Sequence, residues 1–410
     1  MFGFFRKKRA RPAQPVVYAR PDHCISRKNI DRDALRVLYR LSNCGYTAYL
    51  VGGGVRDLLL GREPKDFDVG TDAKPNDVRK LFRNCYIIGR RFKLAQVRFG
   101  QNTIETATFR KESQSVGDII RHAAEGPMED NTFGTPESDA RRRDFTVNGL
   151  FYNIKDYSVI DWVGGMEDLK AKVIRSIGDP MIRFREDPVR MMRAVKFAAR
   201  LGFTIDKSTE NAIRKLHSFI GTASVPRVCE EVFRLFPYGK SADAFKMMWR
   251  FGLLGDLAPS LSAFIDSDGG EESSTWKYLA VLDRYENAMR SRGIDVANGV
   301  RIASLHAAMA KSRPGRSRET VGAMAQSLKM PKAVYFSAVI MLDSVRRLSR
   351  SPAKPHIRFV HNRHFLDALD FNRIVARAEG RDEGTIEQWA DAYRDCAEQF
   401  ATQAEEGEHQ

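Results

Sequence analysis

Val51-Gly-Gly-Gly-Val-Arg-Asp-Leu-Leu-Leu-Gly61 is followed five residues later by Asp66-Phe-Asp68, and reading these two stretches together decides the fold of the first part of the chain. Glycines let backbone N–H groups approach an anion closely, and a helix opening there turns its positive end toward it. Arg56, one turn into that helix, can add a charge-assisted bond to a phosphate. No Gly-Lys-Ser/Thr follows, so this is not a Walker loop. Asp66 and Asp68 stand at i and i+2, so on a strand both share one face while Phe67 points back to the core. Two such carboxylates repel unless a cation sits between them, and hard oxygen donors suit Mg²⁺ together with substrate phosphates. Glu105, in Ile104-Glu-Thr-Ala-Thr108, is the positional candidate for a third carboxylate on a neighbouring strand, completing a two-metal site. Alone, a triple glycine reads equally as a tight turn, and an isolated Asp-x-Asp as a surface pair. Their close succession favours the site.

Working outward, Asp31 opens a helical pattern with Leu35, Leu38 and Leu41 on one face. Thr47–Val51, Asp66–Val69, Val97–Phe99 and Thr103–Phe109 read as strands of one sheet, Pro75–Phe82 as a helix, and Phe151–Ile154 with Val159–Trp162 as a hairpin. Residues 111–135 are polar and glycine-containing and read as a mobile excursion. Beyond residue 165, Arg185–Leu201, Thr209–His217, Arg227–Phe236 and Ala242–Leu254 carry 3.6-residue apolar spacing, so an α/β head is followed by an α-helical body.

The chain has 410 residues and carries 67 Lys+Arg against 52 Asp+Glu, a formal net charge of +15, which points to a polyanionic partner. Cys24, Cys44, Cys85, Cys229 and Cys396 are scattered without a C-x-x-C pair, which argues against zinc, iron–sulfur or disulfide frameworks and fits a cytoplasmic location. No apolar run approaches the roughly 20 residues of a membrane span, so no integral membrane association is expected. The opening Met1-Phe-Gly-Phe-Phe-Arg-Lys-Lys-Arg9 lacks the order of a signal peptide and reads as a basic arm.

Three further clusters carry polar chemistry. Arg141-Arg-Arg-Asp-Phe-Thr-Val-Asn148 sets a basic triplet beside Asp144 and Asn148, and Asp161-Trp-Val-Gly-Gly165 is a second glycine turn opening a helix. Glu186-Asp-Pro-Val-Arg-Met-Met-Arg193 places Asp187, Arg190 and Arg193 on one helical face, either as an intrahelical ion pair or as a base reader. A carboxylate accepting from an exocyclic amine beside an Arg donating to the adjacent ring nitrogen admits adenine and cytosine and refuses uracil and guanine. Between Asp343 and His364 stand six Lys/Arg (Arg346, Arg347, Arg350, Lys354, Arg358, Arg363), three histidines (His356, His361, His364) and Phe359, a pattern suited to RNA phosphates with some stacking, or to a solvated basic helix.

These motifs in this order resemble the class II nucleotidyltransferases, the branch of the polymerase-β-like superfamily that holds bacterial poly(A) polymerases and CCA-adding enzymes. The likeness covers about residues 30–235, and Ile87-Ile-Gly-Arg-Arg-Phe-Lys-Leu-Ala-Gln-Val97 resembles the poly(A) polymerase signature, with Gln96 where His is commoner. The resemblance implies a nucleotidyltransferase head with a mixed sheet followed by an all-α neck, body and tail. Its boundaries would be a disordered arm at 1–25, the head at 26–165, a neck at 166–237, the body and tail at 238–400, and a disordered acidic end at 401–410. It implies Asp66, Asp68, Asp144 and Glu105 as catalytic acids, with Asp66, Asp68 and Glu105 binding two Mg²⁺. Gly53, Gly54, Arg56 and Arg143 would hold the triphosphate, Asn148 the sugar, and Asp187, Arg190 and Arg193 the base. The implied activity is template-independent addition of AMP from ATP to RNA 3′ ends by a monomer. A tRNA CCA-adding or A-adding enzyme is the alternative, and a catalytically idle RNA-binding scaffold is the reading from another class. The family's long basic C-terminal tail has no counterpart in Ala404-Glu-Glu-Gly-Glu-His-Gln410.

Overall fold

The computed structural model describes residues 14–89, 93–111, 133–352 and 362–407, with side chains through Cys396. The chain forms two compact units: residues to Glu186 with Phe203–Thr209, and Asp187–Gly202 with Glu210 onward.

The first unit is built on a mixed eight-stranded sheet of order β1-β8-β7-β2-β3-β6-β5-β4. Its strands are β1 (Val16–Tyr18), β2 (Ala48–Val51), β3 (Asp68–Thr71), β4 (Cys85–Ile88), β5 (Leu94–Phe99), β6 (Asn102–Thr108), β7 (Leu150–Asn153) and β8 (Val159–Asp161). Only β3 and β6 run parallel; the other neighbours are antiparallel. Residues paired across strands share a face. One face buries Leu50, Val69, Ile104, Ala95 and Val97 beneath α1 (Arg32–Asn43) and α3 (Pro75–Leu81). The spacing of Ala34, Val37, Leu38 and Leu41 gives α1 its apolar stripe, and Asp31 caps it by accepting from the N–H groups of Asp33 and Ala34.

Among the described residues the other face is covered only in part. Val51, Phe109, Phe151, Ile160 and Trp162 form an aromatic core there, with the Phe151 and Trp162 rings edge to face at 5.1 Å. The β3-β6-β5-β4 end carries Asp68, Glu105, Gln96 and Tyr86 on this same face.

The second glycine turn is a buttress. Asp161 accepts from the N–H groups of Val163 and Gly164, each at 2.9 Å, and of Met166 at 3.0 Å. This engages three donors at the turn and the start of the helix Gly165–Lys170. Thr146 lies so close to Gly165 that a Cβ there would meet its carbonyl oxygen at 2.3 Å.

Three boundaries differ from the expectation. Val16–Tyr18, assigned to a disordered arm, forms β1 because its backbone completes the β8 edge, Val16 opposite Asp161. Residues 166–186, assigned to a neck, belong to the first unit, since β9 (Val173–Ile174) pairs with β10 (Thr204–Ile205) and Ser176 bridges to Phe145. The last helix runs Gly384–Gly407, so the residues from 401 to 407 continue a helix rich in Ala, Glu and Gln instead of fraying. The excursion at 111–135 lies almost entirely outside the described residues.

The second unit is all helix among its described residues. α4 (Val189–Leu201) packs on α5 (Val225–Phe233) and on Ser241–Arg250. Further along, α6 (Thr275–Arg290), α8 (Lys332–Leu348) and α9 (Phe365–Glu379) pack around α7 (Asn298–Ser312), whose residues from Gly299 to Met309 are all buried. Gly299 lets α8 approach, since a Cβ there would meet Ser337 Oγ at 2.0 Å. Arg301 is buried within α7 and donates to Glu286 at 2.6 Å, Asn298 at 2.9 Å and Asp295 at 2.8 Å.

Replacing Asp161 by Ala strands three N–H groups and is expected to cost at least about 2 kcal/mol. Asp161→Asn, which keeps one acceptor, should cost less, as read by urea denaturation of both variants.

Candidate active site on the head sheet

Gly52 ends β2 at φ +72° and ψ −134°, a conformation that side chains other than glycine resist, and it starts α2 (Gly53–Leu59). Arg143 lies over this turn: a Cβ on Gly52 would meet its Nη1 at 2.7 Å. The guanidinium is held from behind by buried Asp139, whose Oδ2 accepts from Arg143 Nη2 at 3.0 Å and whose Oδ1 accepts from Arg142 Nε at 2.7 Å. Arg143 also sits 5.3 Å from the centre of the Phe151 ring. Its Nε is buried without a hydrogen-bond partner. Sequence reading missed Asp139 because nothing but the helical i, i+3 and i, i+4 spacing links it to the two arginines.

The acids face this cation. Asp68 begins β3, and Asp66 lies in the loop just before it, exposed; Phe67, expected in the core, is only half-buried because the strand starts one residue later. Val69 pairs with Thr106, so one position back along both parallel strands Asp68 stands beside Glu105. The Asp68 carboxyl is pushed up to about 6, first by burial and then by the negative charge of Glu105 and of Asp66, with Arg143 pulling the other way. The three acids therefore share one electrostatic neighbourhood. Among the described residues, no three His, Cys, Asp or Glu side chains gather tightly enough to cage a metal ion by themselves.

Behind the turn runs a buried polar chain. Arg56 is 2% exposed. It donates to Asp57 Oδ1 through Nε at 2.9 Å and to Asn148 Oδ1 through Nη1 at 2.5 Å. Asn148 Nδ2 in turn donates to Asp144 Oδ1 at 2.9 Å, which also accepts from the Phe145 N–H at 2.8 Å. Arg56, expected to grip the triphosphate, is thus a buried brace, because the helix directs it inward to Asn148. Asn148, expected at the sugar, is buried in the same chain. Asp144, expected among the catalytic acids, is 8% exposed and holds the Thr146–Asn148 turn from its flank through the Phe145 N–H and Asn148 Nδ2.

Residues 48–175 match the family described as "Poly A polymerase head domain", and residues 202–265 match "Probable RNA and SrmB- binding site of polymerase A". The chain is 46% identical to poly(A) polymerase I of Salmonella typhi over 287 residues, 69% of this chain and 61% of that protein. It is 36% identical to the CCA-adding enzyme of Bacillus velezensis over 231 residues, 56% of each chain. The CCA-adding enzyme of Bacillus stearothermophilus, solved in complex with CTP, superposes with a TM-score of 0.70 at 27% identity, covering 89% of this chain and 82% of that one. The chain belongs to the poly(A) polymerase and CCA-adding enzyme family. It spans less than two thirds of the length of the curated relatives it matches.

In this family member the expected base reader lies in the second unit. Asp187 precedes α4, and its Oδ2 accepts from Arg227 Nη2 of α5 at 2.9 Å, a partner the helical spacing did not foretell. Its Oδ1 is buried without a hydrogen-bond partner. Arg193, expected at the base, is 3.6 Å from Glu231, which also pairs with Lys196 at 2.6 Å, so it belongs to an ion cluster joining α4 and α5. Of the expected RNA contacts, Arg346 and Arg347 lie exposed at the end of α8, with Arg350 just beyond and Arg363 before α9. Lys354 and Arg358 fall outside the described residues, as do His356 and His361.

Because Asp68 titrates higher in the folded chain than its ordinary value, it favours folding most at low pH, and that contribution is lost as pH rises through about 6. In metal-free buffer Asp68→Asn should therefore raise Tm at pH 8 and change it little at pH 4. Equal shifts at both pH values would contradict this. Gly52→Ala should lower both Tm and catalytic activity through the forced φ and the displaced Arg143, the two losses being read from melting curves and turnover assays.

Proposed function

We propose that the chain is a template-independent polynucleotide adenylyltransferase that adds AMP from ATP to RNA 3′ ends. The observation that carries this reading is Asp68, with Asp66 and Glu105 as its negative neighbours, set opposite Arg143 above the Gly52 turn. A triphosphate lying between them meets a fixed cation on one side and backbone N–H groups of Gly53 and Gly54 on the other. The RNA 3′-hydroxyl loses its proton to solvent, its oxygen forms a bond to the α-phosphorus, the bond from that phosphorus to the α,β-bridging oxygen breaks, and pyrophosphate leaves.

Asp66 and Asp68 fit Mg²⁺, which binds through one or two carboxylates plus phosphates and water, and burial makes the Asp68 charge costly without a cation beside it. Glu105 is the further carboxylate at its flank, so two ions are within the donor set. When bound, Mg²⁺ supplies positive charge for the attacking and leaving oxygens. Arg143 neutralises the phosphates, and its anchor Asp139 keeps it in place as charge develops. Asp144 and Asn148 hold the turn beneath, through Arg56, as positioning residues.

Asp187 and Arg190 read the base in this proposal, with Arg227 orienting the carboxylate, and the exposed Arg346, Arg347, Arg350 and Arg363 meet RNA phosphates. The identities support ATP as the nucleotide: 46% to a poly(A) polymerase I against 36% to a CCA-adding enzyme. The TM-score of 0.70 to a CCA-adding enzyme keeps CCA addition as the second reading. A cytoplasmic monomer is the expected setting, and no helix among the described residues is long and apolar enough to cross a membrane.

The test supplies each of the four nucleotides separately, with Mg²⁺, to an oligo-RNA and to a tRNA lacking its 3′ end. A long adenylate ladder on either RNA is expected; a stop after one to three additions on tRNA alone would replace this reading by CCA addition. Asp66→Ala with Asp68→Ala should reduce transfer at least about a thousandfold while RNA affinity measured by filter binding holds. Undiminished transfer in that variant would remove both acids from the site.

A further inference from the structure

We propose that the open face of the β4-β5-β6-β3 end of the sheet is a track for the last few nucleotides of the RNA strand, with Tyr86 as its base-stacking residue. This rests on the adenylyl-transfer reading above and adds to it the path of the strand behind the reacting 3′ end.

The register carries the argument. Tyr86 of β4 pairs with Gln96 of β5, and Gln96 pairs with Glu105 of β6. Glu105 stands beside Asp68 of β3 by the parallel register already given. Four side chains therefore form one row straight across four strands, on one face, from a reacting-site carboxylate to the sheet edge. Gln96 Nε2 reaches Glu105 Oε1 at 3.5 Å, which agrees with that common face.

The far end of the row is chemically unlike an ordinary edge. Tyr86 is 55% exposed and Ile88, two residues along on the same face, is 40% exposed. Natural edge strands blunt themselves with charges, prolines or bulges, whereas this one presents an aromatic and an aliphatic side chain to solvent. The Arg98 guanidinium lies over one face of the Tyr86 ring, 4.6 Å from its centre, so a cation for a phosphate is held on the ring whose opposite face would take a base. An aromatic flanked by a cation on an open sheet face is the arrangement that takes single-stranded nucleic acid without reading its sequence.

The spacing also fits. Three strand steps of about 4.8 Å put Tyr86 roughly 14 Å from Asp68. A stacked strand advances about 3.4 Å per nucleotide, so Tyr86 would meet a base about four positions behind the 3′ terminus. A peptide strand added to β4 would use the edge backbone, and would gain nothing from a row leading to two carboxylates and a phosphate-binding turn.

Oligo(A) primers of two and six nucleotides test this with the full chain. Tyr86→Ala should raise KM for the six-nucleotide primer about tenfold to a hundredfold. KM for the two-nucleotide primer, too short to reach the ring, should not follow it, and Tyr86→Phe, which keeps the ring, should restore the long-primer KM. An unchanged long-primer KM in Tyr86→Ala, or an equal rise for both primers, overturns the track. Loss of self-association on Tyr86→Ala with RNA handling intact also overturns it, making the edge a protein seam. Direct binding of a labelled hexanucleotide to the Asp66→Ala, Asp68→Ala double variant, with and without Tyr86→Ala, separates the two readings. If the wild-type chain transfers no AMP yet Tyr86→Ala weakens this binding, the transfer reading fails and the track stands. If transfer is normal and binding is unmoved, the track alone fails.

Discussion

Arg56, a buried guanidinium in a helix of seven residues, ties the glycine turn to the Arg143 loop through Asp57, Asn148 and Asp144. A buried ion pair seldom adds net stability, because desolvation offsets most of the attraction. Its value here is geometric. The bond that spans the two segments is the one from Arg56 to Asn148, and losing a buried hydrogen bond to a charged group costs about 1.5–3 kcal/mol, so the loop and the helix are held to one arrangement. That arrangement sets where Arg143 lies over Gly52 and, with it, the distance between fixed cation and acids. The conspicuous polar residues here thus divide into two classes: those that line the turn and the sheet face, and those buried behind them that keep the first class in place.

The charges in front of the chain are arranged to be incomplete. Asp139 takes part of the Arg143 charge, but the guanidinium still faces the carboxylates closely enough to pull the Asp68 proton affinity down against burial. Asp68 remains high, near 6, first because it is buried and then because Glu105 and Asp66 oppose the arginine. A divalent cation and a polyphosphate arriving together would satisfy both sides, the cation at the acids and the phosphates at Arg143 and the turn. Either alone leaves like charges facing each other.

How much of this was legible in the sequence depended on the range of the interaction. The strand–glycine turn–helix–strand order around residues 48–71 could be read directly, since φ-permissive glycines and i, i+2 carboxylates are local signals. The helical second unit was visible from its 3.6-residue spacing. The direction of Arg56 was not, because a helix position one turn in can face phosphate or core depending on what packs opposite, here Asn148 ninety-two residues away. The same holds for Asp187, whose partner Arg227 lies on another helix, and for Asp139. β1 escaped because three residues of edge pairing to β8 leave almost no periodic pattern.

The sheet register links these local and distant signals. Because strand side chains alternate, shifting β5 by one residue would turn Gln96 toward the helices and Val97 toward solvent, which the buried Val97 and Ile104 pairing forbids. The apolar packing under α1 and α3 therefore dictates which residues line the opposite face. Glu105 and Gln96 are placed beside Asp68 as a consequence of core burial, and Tyr86 is carried to the outer end of the same row. A mutation in the helix-facing core could disturb the site face without touching any residue on it. Conversely, the open face tolerates change in chemistry at Gln96 or Tyr86 without loss of the fold, which is the freedom that relatives with one head and different products require.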